Sequence, residues 1–321
     1  MRAAFAVATL AGLASPDAAP ATDPGKGRCD RVATVGASPR AFVDSLRRGE
    51  TGCLAPGLYR ANRRDIKFTR PRVALTSLRR RKPARLVGRI WITRRADRVS
   101  IRNLNLNGAN ARGLPSPTVT ANRVRLEGNR IRNLSSSCVI LGDDDYGDAV
   151  GTVIERNRIH DCGRLPATNH DHGIYVAHAD RTVIRGNWIY SNADRGVQLY
   201  PDADGSVITG NVIDGNGEGV LFAGSGDLSS DRNLVARNAI TNSILRHNVE
   251  DHWQGPIGTD NVVRRNCLFG GARGDQDGGL ETPALGYSAF GNVIANPHYY
   301  DRNGADFRLR DRSPCSRLLQ R

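Results

Sequence analysis

His170, Asp171 and His172 arrive together in the stretch Asn169-His-Asp-His-Gly-Ile-Tyr175, with a tyrosine close behind. A histidine titrates near neutrality, a phenol can donate a proton, and an arginine is a fixed cation. Such a set suits general acid–base chemistry on a substrate that develops negative charge. The arginine comes from a short internal repeat. His172-Gly-Ile-Tyr-Val, Arg195-Gly-Val-Gln-Leu-Tyr and Glu218-Gly-Val-Leu-Phe follow one another at offsets of 23 residues, after an earlier copy at Ser137-Cys-Val-Ile-Leu. His172, Arg195 and Glu218 should therefore stack at one place in successive structural units. Strand alternation turns Ile174, Val176, Val197, Leu199, Val220 and Phe222 inward and Tyr175, Gln198 and Leu221 outward. On this reading His172, Arg195 and Tyr175 share one exposed patch, with His172 or His170 as base and Gln198 contacting substrate. Gly163 to His172 lengthens its unit, and insertions of this kind become loops beside binding grooves.

Other polar groups could join this chemistry. Tyr200, His178 and Trp253 lie near strand ends, where aromatic rings can stack on sugars, and Arg246 and His247 in Arg246-His-Asn-Val-Glu-Asp-His-Trp253 could extend a groove. Asp143, Asp144 and Asp145 in Asp143-Asp-Asp-Tyr-Gly-Asp148 offer hard oxygens that could hold Ca²⁺, although a solvated acidic turn is the plainer reading. Together with Asp171 they could also supply the paired carboxylates of a glycoside hydrolase.

The elements that must position these groups are set by a longer repeat. Asn103, Asn129, Asn157, Asn187, Asn211, Asn238, Asn266 and Asn292 recur at intervals of 24 to 30 residues, each inside a short apolar phrase such as Ile184-Arg-Gly-Asn-Trp-Ile. Units in the twenties, built of strand-length alternating runs broken by Gly, Asn and Asp, are the coils of a parallel β-helix. The asparagine is read as a residue that both tolerates a left-handed bend and hydrogen-bonds to its counterparts in neighbouring coils. The fold class is all-β, a parallel β-helix solenoid with a short N-terminal capping helix.

Composition bounds the setting. At 321 residues and 39% hydrophobic content the chain can bury one solenoid core, and it contains no apolar run long enough for a membrane span. Ala3 to Ala14 followed by Ala19-Pro-Ala21 resembles a signal peptide with a small-residue cleavage site, so residues 1–28 are read as signal and flexible N-terminus. Six cysteines with no C-x-x-C argue for disulfides in an oxidising compartment. The pairing that best suits a solenoid is Cys29–Cys53, Cys138–Cys162 and Cys267–Cys315. The protein is expected to be secreted and monomeric. Of 46 basic residues only Lys26, Lys67 and Lys82 are lysine, leaving 43 arginines and a net charge of +14. Arginine forks fit carboxylates and sulfates, so the expected partner is a polyanion, with codon bias toward arginine on a solvated surface as the alternative; since no nucleic-acid motif accompanies the charge, an acidic polysaccharide is favoured.

Residues 29–321 read as one domain. Its N-terminal cap is 29–60, with a helix over 39–48 that turns Phe42 and Leu46 onto the end of the stack. The coils run over 61–295 and a C-terminal cap over 296–321. The helix followed by Gly-Glu-Thr-Gly-Cys-Leu-Ala-Pro-Gly-Leu-Tyr59, the repeats, and the closing Asn296-Pro, Asp306-Phe and Ser313-Pro motifs resemble the right-handed parallel β-helix superfamily of pectate-lyase-like proteins. The segment Asn169 to Tyr175 is similar in character to the His/Asp-bearing strand of β-helical alginate epimerases and lyases. That resemblance implies abstraction of a uronate C5 proton by His172 or His170, with Arg195 neutralising the carboxylate and Tyr175 donating a proton. A non-catalytic module that binds polysaccharide or a cell surface is the main alternative, and a β-helical hydrolase the third.

Overall fold

The computed structural model describes residues 29–62, 64–251, 255–273 and 277–319. One coil shows how sequence becomes architecture. Val153–Glu155 is a strand, Asn157 turns the chain, Arg158–Cys162 is the second strand, and Ile174–His178 the third. Repetition of this path gives three parallel sheets: sheet A of 11 strands, sheet B of 10, which follows each asparagine turn, and sheet C of 8. Each strand is short because its inward residue is usually one aliphatic, and the register stacks these residues. Leu126, Ile154, Ile184 and Ile208 align in sheet A, as do Ile131, Ile159, Ile189 and Ile213 in sheet B. All eight are buried, and burying each such side chain contributes about 1.5–3 kcal/mol. The expected all-β parallel solenoid is the fold observed.

The asparagine turn divides its two duties between neighbouring residues. Asn157 N–H donates to Asn187 Oδ1 and Asn187 N–H to Asn211 Oδ1, both at 2.9 Å, and each Nδ2 reaches a carbonyl of the preceding coil, Asn157 to Leu126 at 2.9 Å. The column runs from Asn129 to Asn292. The left-handed bend, however, falls on the residue before each ladder asparagine: Gly128, Arg156, Gly186, Gly210, Arg237 and Arg265 have φ between 53° and 64°. Asn103 belongs to that bend, with φ 51°, and Asn129 Oδ1 accepts from the N–H of Leu104 instead. The expectation that one residue does both jobs is therefore corrected: the asparagine holds its N–H and amide in the ladder, and the left-handed bend sits one position earlier.

Helix α1 (Pro39–Ser45) is capped by Ser38, whose Oγ accepts from the N–H of Ala41 at 3.3 Å. It is shorter than expected, and Leu46 follows it in extended conformation. Val43 and Leu46 are buried, Phe42 packs on the core, and α1 lies against strand Ile66–Phe68. Beyond the coils, an antiparallel hairpin of Tyr299–Asp301 and Asp306–Leu309 folds back along the outer side of sheet B, packing Tyr299 and Phe307 on Tyr190 and Val212. All three expected disulfides are present, with Cα–Cα separations of 5.4 to 5.6 Å; Cys138–Cys162 ties adjacent coils. Among the described residues no helix is long and apolar enough to cross a membrane.

Candidate functional site

The register of sheet C stacks Arg195 on Glu218, and the backbone N–H of Arg195 meets His172 Nδ1 at 3.4 Å, so the expected column exists. Its exposure does not. His172, Arg195 and Glu218 are each 2% exposed. Strand alternation does not extend into this corner: at Gly173, Gly196 and Gly219 a Cβ would meet the core side chains of Ile189, Ile213 and Ile240 and the backbone of the next coil at 3.0 Å or less. The patch is thus a buried ladder at the corner entering sheet C. Tyr175 stands on the outer side, half-buried, edge-on to His172 with ring centroids 5.4 Å apart and stacked near Tyr200 at 6.4 Å. Gln198 lies beside it in register and is 6% exposed.

Burial fixes the protonation of these groups. It drives His172 well below the usual histidine range, helped by the positive charge of Arg195, so the ring is neutral at pH 7. Because a backbone N–H points at Nδ1, the neutral ring carries its proton on Nε2 and is a donor there. Burial also raises the Tyr175 phenol, with Tyr200 and Asp144 adding to the effect, so Tyr175 keeps its proton. Glu218 is pushed up by burial even beside Arg195 and Arg246. Arg195 Nε donates to Glu218 Oε2 at 3.0 Å and Nη1 to the Asn169 carbonyl at 3.1 Å. A guanidinium held in this way supports the loop before strand Ile174–His178; it does not present an open fork to a ligand.

The loop explains the other two members of the triplet. Asp171 Oδ2 accepts from Arg164 N and Nε at 3.1 and 2.9 Å, and the Asp171 N–H donates to Asp194 Oδ2 at 2.8 Å. Asp171 is buried and engaged as a loop staple, which removes it from a hydrolase pair. His170 is exposed, with its carbonyl held by Ser137 Oγ at 3.0 Å.

The acidic loop does not gather for a metal. Asp143 Oδ1 accepts from the N–H groups of Asp145 and Tyr146, Asp144 turns to His178 Nε2 at 2.6 Å, and Asp145 is exposed. Oxygens directed to a turn and to an imidazole do not converge as Ca²⁺ requires, so these residues do not fit the ion. His178, also 4.0 Å from Asp202, instead forms part of the wall near Tyr175. Among the described residues one group could hold a divalent metal: His247, Glu250 and Glu281 offer ligand atoms within 4.8 Å of one another. There Arg246 Nε already donates to Glu250 Oε2 at 2.8 Å, and burial with the charges of Arg246 and Arg273 keeps His247 neutral. Trp253 lies outside the described residues. Sequence reasoning assigned no role to Glu218, Glu250 or Asp194; of these Glu218 alone carried a signal, as the third member of the 23-residue repeat.

Further along sheet C, Lys67 and Arg89 sit over the Trp91 ring at 4.5 and 5.1 Å, and Tyr146 meets Trp91 edge-on at 5.1 Å. The outer face of this sheet therefore carries aromatic rings with cations beside them at one level and the Tyr175 cluster at another.

A family model described as Right handed beta helix region matches residues 89–267. Among solved structures, pectate lyase Pel9A superposes with a TM-score of 0.61 at 12% identity, over 89% of this chain and 91% of that one. An alginate lyase from Paenibacillus sp. str. FPU-7 gives 0.54 at 18% identity, over 82% and 95%. The Dettilon tailspike protein gives 0.54 at 14% identity over 80% of this chain, which spans 57% of that longer one. At such identities the likeness is one of fold. No curated protein matches the chain by sequence.

Proposed function

Since the chain belongs to the right-handed β-helix family, we propose that it is an exported protein acting on an acidic, uronate-containing polysaccharide by C5 proton abstraction, as a lyase or an epimerase. The observation that carries this reading is the Tyr175 cluster: a phenol kept protonated, packed on a neutral imidazole that donates, beside a second tyrosine, on the outer side of sheet C. Tyr175 is the proton donor. His170, exposed at the end of the loop, is the base, and His172, buried, packs edge-on against the Tyr175 ring from within. Arg195 becomes a positioning residue, and Arg246, with 28% of its side chain exposed, is the cation that a uronate carboxylate reaches first. The three disulfides support export, and pectate and alginate lyases among the similar folds support the substrate class. A non-catalytic glycan-binding module is the second reading, and the sealing of Arg195 against Glu218 is what favours it.

The test is incubation with alginate, pectate, hyaluronan and chondroitin, with and without Ca²⁺, following the ultraviolet absorbance of unsaturated uronate and solvent deuterium entering C5. Product from one of these should fall about 10²–10⁴-fold in Tyr175→Phe while binding of the same glycan persists. No product and no C5 exchange with any uronan would leave the binding module as the correct reading.

A further inference from the structure

Sheet B carries a second basic surface, around the corner from the Tyr175 cluster. Strands Arg85–Val87, Asn105–Asn107 and Arg130–Asn133 present two outward columns, Arg85–Asn105–Arg130 and Val87–Asn107–Arg132, in parallel register. They line a groove of about 250 Å³ that has no carboxylate in its wall. At the matching levels of sheet A the arginines are held by acids. On sheet A, Arg125 pairs with Glu127 at 3.0 Å, and Arg156 and Arg185 pair with Glu155 at 3.1 and 2.8 Å. In the groove, among the described residues, Arg85 and Arg132 pair with no carboxylate, and Arg130 directs Nε to His160 Nε2 at 2.7 Å. The register also sets Arg130 beside Arg158 on the next coil, a like-charge neighbour that costs stability unless an anion intervenes.

Both ends of the groove are defined. On one side Arg158 stacks over Trp188 at 4.3 Å, under the C-terminal hairpin that covers the rest of this face. On the other, a second cleft of about 220 Å³ leads toward Trp91 on sheet C; Arg60, Arg64, Arg89 and Arg112 line it together with Asp65, which pairs with Arg89 at 2.9 Å and with Arg112. We propose that the sheet B groove is a separate binding site for a strand of acidic polysaccharide, its arginines taking uronate carboxylates and Asn105 and Asn107 the ring hydroxyls. The proposal rests on the polyuronate reading of the substrate and is independent of the chemistry assigned to Tyr175. Paired N–H donors of arginine match carboxylates, and the absence of aromatic side chains from the groove wall disfavours single-stranded nucleic acid, whose bases need stacking partners.

The full chain and its Arg85→Gln/Arg130→Gln/Arg132→Gln variant should be titrated calorimetrically at low salt with a long and a short oligouronate of defined length. A heparin-derived oligosaccharide and single-stranded DNA are the comparison arms. The variant should bind the long oligouronate about tenfold more weakly or worse, while handling of the short one at sheet C is unchanged. Equal affinity of parent and variant overturns the proposal, and so does capture of the sulfated glycan or the DNA with no binding of oligouronate. Should the variant not fold, the parent supplies its own probe. His160 is held down by burial and by the charges of Arg130 and Arg132, so oligouronate in the groove must raise its NMR titration midpoint, and an unmoved midpoint counts against the site. A parent protein that binds through these arginines yet turns over no uronan would sink the Tyr175 chemistry alone.

Discussion

Two columns of polar side chains climb this solenoid at different corners of the coil, and they are built on opposite rules. The asparagine column repeats one residue from Asn129 to Asn292, because an amide both donates and accepts and so satisfies a copy of itself above and below. The column entering sheet C changes at every coil, through His172, Arg195, Glu218 and His247. Ionised groups cannot be stacked on copies of themselves, so each level there must be chosen against its neighbours. Uniformity marks the corner that holds the coils in step; variation marks the corner where a site can be installed.

The largest effect should come from unbalancing the varied column. Arg195→Ala leaves Glu218 buried without its partner and the Asn169 carbonyl without its donor, and should lower the unfolding free energy in denaturant by about 3–5 kcal/mol. A loss below about 1 kcal/mol would mean the pair is not sealed as described, and would return Arg195 to the role of an accessible carboxylate ligand. Breaking the uniform column should cost less. Asn187→Ala deprives the Asn157 N–H and the Ile154 carbonyl of partners, roughly 2–3 kcal/mol, with no effect on glycan turnover. Altered turnover in that variant would erase the division of labour between the corners.

The smallest effect is also the most selective. His172 is held neutral in the fold, whereas in the unfolded chain it titrates at about 6.5. Below that pH the unfolded state binds the extra proton, so stability falls as pH drops from about 7 to 5. Glu218 and Glu281, raised by burial, act in the opposite sense over the acid range, so the histidine part is isolated by difference. His172→Gln should remove about 2 kcal/mol of the loss in unfolding free energy between pH 7 and 5, and Asn187→Ala should leave that slope unchanged.

How much of this the sequence discloses follows the same division. The uniform column is legible as a period, and with it the coils, the strand parity, the end helix and the cysteine pairs. The conformational duty of Asn103 is not, because Asn, Gly and Arg all occupy the left-handed position in different coils. The varied column is legible as a 23-residue offset, but its burial is not, since charge suggests solvent and the pairing that encloses these groups, such as Arg195 with Glu218, is made between coils. The sheet B groove escapes notice altogether. In a chain with 43 arginines, the informative fact about Arg85, Arg130 and Arg132 is that they line one groove without an acid in its wall, and neighbours across coils are visible only once register is known.

Helix α1 has a consequence for solution behaviour as well as for folding. The first coil of any such rod bears a full turn of backbone N–H and C=O groups facing along the axis, the same template that lets cross-β chains add end to end. With Val43 and Leu46 buried, Phe42 against the core and the helix lying on Ile66–Phe68, α1 covers the end strand of sheet C, so a second molecule cannot continue that sheet from this end. A helix of seven residues thereby closes one of the three edges along which a structure with the spacing of a fibril would grow.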